Sequence, residues 1–170
     1  MHRRTLLSTA AAAVAVAGGT AGCVGSSEVV ATVQRSVSVR PGQGWIEELP
    51  DVSDPGGAIR YRAKADRPFD VYFFASEESF MFYDTYTDGD EPALTPNGDG
   101  DVSASAEEVA EDTYVAETHD GGARQPIDDS GPYYFVVDHS GYRGENQPRS
   151  EQPSPLDVFV DLTVTRRKLI

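Results

Sequence analysis

The chain has 170 residues, with 28 acidic side chains against 14 basic ones and a formal charge of −14. All 28 acids follow residue 23, whereas Arg3 and Arg4 precede it, so residues 23–170 keep 12 bases (14 less two) and a net charge of −16. This balance excludes nucleic acid as a partner, because phosphate binding needs clustered positive charge. One cysteine, Cys23, excludes an internal disulfide or a Cys-based metal centre, and the length suits one domain rather than a two-lobed solute-binding protein.

Residues 1–23 read MHRRTLLSTAAAAVAVAGGTAGC. Arg3-Arg4 is followed by Leu6-Leu7, an Ala/Val run over 10–17, and small residues before Cys23. The stretch from Leu6 to Ala21 spans 16 residues and includes Gly18 and Gly19, short of the roughly 20 apolar residues of a membrane-spanning helix. These 23 residues resemble lipoprotein signals of the twin-arginine type, although His2 precedes the arginines and Leu6 stands where Phe is frequent. The resemblance implies that Arg3 and Arg4 direct export, that residues 1–22 are a removable signal peptide, and that Cys23 is lipidated. Residues 23–28 are then a tether, and residues 29–170 form a domain on the outer face of the cytoplasmic membrane.

From Val29 the apolar residues recur with period two (Val29, Ala31, Val33, then Val37, Val39), predicting a half-buried strand. Trp45-Ile46 falls in a stretch read as irregular, ending at the turn signal Asp54-Pro55-Gly56-Gly57. Ile59, Tyr61, Ala63 and Ala65 alternate with Arg60, Arg62 and Lys64, a second strand with a basic ridge. The ridge is expected to face carboxylates such as Asp157 and Asp161, because opposite charges on neighbouring strands stabilise each other. Residues 69–74 (FDVYFF) are β-rich, and Ser76-Glu77-Glu78 offers an N-cap to a short helix with Phe80 and Tyr83 on one face. Residues 87–112 are polar and read as a long excursion, with a capping box at Ser105–Glu108 supporting one or two helical turns. Thr113–Ala116 is a short strand, and Gly121-Gly122 and Asp128–Gly131 bound a loop. Tyr133–Asp138 and 157–164 are strong closing strands.

Six or seven strands separated by Gly/Pro/Asp turns, with no long helical period, predict a mostly β chain: a single antiparallel β-sandwich, jelly-roll-like, with one or two short helical turns. The segments FDVYFFASEESF, SGPYYFVVDHS and DVFVDLTVT resemble those of pre-peptidase C-terminal and GOLD-like sandwich modules, a likeness of pattern that any alternating sandwich shares. That resemblance implies a non-catalytic module. The dense carboxylates, with Lys64 and Lys168 as the only lysines, resemble exported proteins of halophilic archaea.

The candidate chemistry is sparse. Asn97, Asp99 and Asp101 alternate around Gly98 and Gly100 like part of a calcium loop. With Gly100 at the turn, Thr95 and Ala106 stand where acids belong; starting at Asn97, Glu108 closes the loop but Val102 replaces the turn glycine. His119 and His139, with Asp120 and Asp138, are candidate metal ligands or bases. Trp45, Tyr72, Phe74, Phe80, Phe82, Tyr83 and Tyr86 supply either a core or a sugar-stacking platform. The expectation is a lipid-anchored surface module without catalytic residues or cofactor, binding an envelope protein or glycan through residues 87–131. The alternatives are a metal-dependent hydrolase using His119 and His139, and a calcium-stabilised module.

Overall fold

The computed structural model describes residues 26–143 and 154–169; Arg3, Arg4 and Cys23 lie outside the described residues. Two antiparallel sheets pack face to face. The larger contains β1 (Ser27–Val39), β10 (Leu156–Arg167), β3 (Gly57–Ala65), β7 (Thr113–Glu117) and β6 (Glu107–Ala110) in that order, with β8 (Gln125–Ile127) also paired to β3. The smaller runs β2 (Gly44–Leu49), β9 (Tyr133–Asp138), β4 (Asp70–Phe74), β5 (Ala104–Ser105). The β-sandwich expected from the alternating pattern is therefore the observed fold.

Period-two alternation decides which side chains meet between the sheets. Ile59, Tyr61, Ala63 and Ala65 of β3 and Leu156, Val158, Val160, Leu162 and Val164 of β10 point inward from the larger sheet. Leu49, Val71, Phe73, Tyr133, Phe135 and Val137 meet them from the smaller. Burying a large apolar side chain of this kind contributes about 1.5–3 kcal/mol. Tyr61 lies edge-on to Phe135, ring centres 4.8 Å apart, and donates its hydroxyl to the Val102 carbonyl at 2.8 Å.

Three local readings of the sequence change. Residues 44–49, read as irregular, are strand β2. Ser105–Glu108, read as a capping box, falls instead in the strands β5 (Ala104–Ser105) and β6 (Glu107–Ala110). The loop between Gly121 and Asp128 contains β8 and is preceded by the single turn α2 (His119–Gly122), in which Asp120 and Gly121 adopt left-handed conformations. Helix α1 (Glu77–Thr87) is the short helix expected after Ser76, three turns long. Its expected cap is present: Ser76 Oγ accepts from the Ser79 amide at 3.2 Å.

The basic ridge is as expected at one position and different at others. Arg62 stands directly across from Asp161 on β10, but Lys64 opposes Phe159, and Arg62 approaches Glu117 of β7 at 3.7 Å. A second charged pair closes the side of the sandwich where β1 and β2 are both edge strands. Arg35 and Glu47 each take the inward position of their strand, opposite Val160 and Phe135 respectively. They meet at 3.6 Å, with the Arg35 guanidinium 5.3 Å from the centre of the Trp45 ring.

Candidate functional site

β4 is buried along its whole length and β9 nearly so, on both faces. The sandwich covers one face, and α1 covers the other. Beneath α1 lie Tyr72 and Phe74 of β4, Val136 of β9, Tyr83 of the helix, and Tyr142, with Phe80 and Tyr134 stacked at the margin, ring centres 4.0 Å apart. Most of the aromatics considered for a stacking platform therefore form a second small core.

This core contains a polar centre. Asp138 ends β9 on the α1 side, directly opposite Asp70 of β4 and Gly44 of β2. Its Oδ1 accepts from the Tyr83 hydroxyl at 2.6 Å, the Ser140 hydroxyl at 2.5 Å and the Ser140 amide at 3.1 Å. Its Oδ2 and the Tyr142 hydroxyl are buried without hydrogen-bond partners among the described residues. Burial raises the Asp138 pKa above the ordinary carboxyl value of 3.8, against the lowering effect of its hydrogen bonds from Ser140 and Tyr83. Burial, then the Asp138 charge, pushes Tyr83 well above its usual range. Gly44 is required here, because a Cβ would fall on the Tyr83 hydroxyl.

An acid serving a substrate must come within about 3 Å of it. Asp138 is 1% exposed and Tyr83 is fully buried, so the arrangement as it stands fastens α1 to the sheet. Sequence reasoning linked Asp138 only to the histidines and missed this cluster. The available signal was Tyr134, Val136 and Asp138 sharing one face of a strand whose other face is also apolar, which implies a covered sheet.

The calcium-loop residues have structural tasks. Asp99 Oδ1 accepts from the amides of Asp101 and Val102 at 2.9 and 3.2 Å, and the Asp99 amide donates to Phe73 O at 2.8 Å. Gly98 has φ +75°, and a Cβ there would meet the Phe73 carbonyl. Asn97 and Asp101 are exposed. His119 is exposed at the start of α2, its amide donating to Asp101 O at 3.2 Å. His139 is buried after β9, its Nε2 2.8 Å from the Ser154 carbonyl. Among the described residues, no three His, Cys, Asp or Glu side chains converge as metal ligands.

Among the described residues, four surface clefts stand out. One of about 480 Å³ lies at the N-terminus of α1 beside Asp99 and Asp129. A second, about 430 Å³, runs along Phe159 with Lys64, Asp66, Asp112 and Asp157. A third, about 590 Å³, lies between Arg62, Glu107, Glu117 and Asp120. The fourth, about 250 Å³, is lined by Ser27, Gly57, Ala58, Arg124, Pro126, Thr165 and Arg167.

The fold and its clefts define an acidic antiparallel β-sandwich with one covering helix. Compared with family models, curated proteins and solved structures, the chain matches none.

Proposed function

We propose that this chain is a lipid-anchored cell-surface protein, exported through Arg3-Arg4 and held by Cys23 on the outer face of the cytoplasmic membrane. Its β-sandwich serves there as a non-catalytic binding or structural module. The observation that carries this reading is the leader itself: an arginine pair, an Ala/Val run and the sequence Thr20-Ala21-Gly22-Cys23, only three residues before the first described residue. No helix among the described residues is long and apolar enough to cross a membrane. Each buried CH₂ of a lipid chain contributes about 0.8 kcal/mol, so two chains on one cysteine anchor stably where one does not. The closure of the Asp138 cluster to solvent supports the non-catalytic part, since a carboxyl whose pKa burial raises is tied into packing.

Cys23→Ser tests the anchor. In cells expressing the variant, the protein is expected in the medium or as unprocessed precursor, whereas the parent sediments with membranes. A variant that remains processed and as firmly membrane-bound as the parent overturns the reading.

A further inference from the structure

The pairing of β1 with β10 brings the start of the described fold beside its end. Ser27 pairs with Arg167, Glu28 pairs with Arg166, and the Lys168 amide donates to Ser26 O at 2.7 Å. Ser26 follows Cys23 by three residues, a reach of about 10 Å at most when fully extended. Whatever holds Cys23 therefore holds this pole of the sandwich close to it.

The same pole concentrates bases in a chain that has few. Arg124, Arg166, Arg167 and Lys168 stand there, four of the 12 bases that follow Cys23. Val29 and Leu169 are exposed beside them, Leu169 at 82%. The cleft of about 250 Å³ lies in this pole, and among the described residues its charged lining is Arg124 and Arg167, whereas each of the three clefts named with it above has at least two carboxylates in its wall. Nearby acids are weakly held partners: Asp128 is 4.0 Å from Arg167 and Glu28 is 4.0 Å from Lys168, all four side chains being 46% exposed or more. Exposed pairs at such distances contribute little, so exchange of partners is cheap.

We propose that this pole is a membrane-contact surface, in which Arg124 and Arg167 receive the phosphodiester of an anionic lipid headgroup while Lys168 and Leu169 lie against the bilayer surface. The inference rests on the lipid-anchor reading, which brings the surface to its ligand. Two guanidinium groups flanking a cleft suit a phosphate, because each presents a planar fork of donors. The remaining, acidic body is then turned outward, away from the anionic membrane that repels it.

The test uses the lipidated full-length protein in vesicles of phosphatidylcholine alone or mixed with phosphatidylglycerol, at the lowest salt that keeps the fold intact. An environment-sensitive fluorophore is placed through Leu169→Cys, or through Asp66→Cys at the opposite end of β3. The expected result is a blue shift of the 169 label in the anionic vesicles only, and none for the label at 66. Each cation near an anionic surface contributes about fivefold to the docking equilibrium, so Arg124→Gln with Arg167→Gln should reduce the docked fraction ratio about 25-fold. Equal emission of the 169 label in both vesicle types, or an unchanged shift in the double variant, overturns the proposal. Loss of the shift on adding inorganic phosphate, at ionic strength matched with chloride, also overturns it in favour of a free-anion site. Failure of the protein to float with phosphatidylcholine vesicles at all would instead count against the anchor.

Discussion

The hydroxyl of Tyr83 and the carboxyl of Asp138 meet across the interface between α1 and the smaller sheet, at 2.6 Å and out of contact with water. Tyr83→Phe removes a donor to a buried carboxyl group and preserves ring packing, so a loss of about 1–3 kcal/mol is expected. An unchanged midpoint in urea unfolding would show that this bond does not hold the helix. The carboxyl itself makes stability depend on pH. Because burial raises its pKa above 3.8 in the folded chain, the native state retains a proton that the unfolded state releases. The associated stabilisation is complete below pH 3.8 and is lost as pH rises through the folded-state value. Relative to Asp138→Asn, which cannot ionise, the parent should therefore lose stability on that rise. A parent-minus-variant difference that is flat with pH excludes the effect, and subtraction cancels the opposite contribution of groups such as Asp51, whose pKa is lowered by hydrogen bonding from Ser53.

At the scale of elements, β1 and β2 show how an open seam is managed. An edge strand invites pairing with another chain, and an inward-pointing charge discourages it. Arg35 and Glu47 supply one such charge from each strand and neutralise each other at 3.6 Å. Arg35→Val restores uninterrupted alternation in β1, and its expected effect is self-association rather than unfolding: apparent mass by light scattering should rise with concentration. A strictly monomeric variant would contradict this role. The same pair explains which strands were legible. β3 and β10 alternate cleanly because nothing interrupts their inward positions. In β2, Glu47 occupies an inward position and hides the period; in β6, Glu107–Ala110 is exposed throughout, so it has no pattern to read and is held by its hairpin with β7. The short helix α1 was legible from its Ser76 cap and the Phe80/Tyr83 spacing, and Tyr86 carries the same face on into the aromatic core beneath it. Asp138 was the least legible feature, since only its strand position separates it from 27 other acids.

For the whole molecule the dominant quantity is net charge. The 148 residues from Cys23 carry a net charge of −16, and self-repulsion of this kind destabilises a compact state. Added salt shortens the Debye length from about 10 Å at 0.1 M to about 3 Å at 1 M, so the melting temperature should rise steeply over that range. Each kcal/mol of repulsion removed raises it by roughly 2–4 °C in a chain of this size. Sodium chloride also strengthens apolar burial, and the two causes separate in a variant. Glu107, Glu108 and Glu111 are exposed at the β6 edge, where replacement by Gln changes charge without disturbing a core. If repulsion is responsible, the triple variant should melt higher than the parent in dilute buffer and gain less from salt, the two curves converging at molar concentrations. Parallel curves would assign the salt response to burial, and the acidic surface would then owe its composition to solubility rather than to a stability that depends on screening.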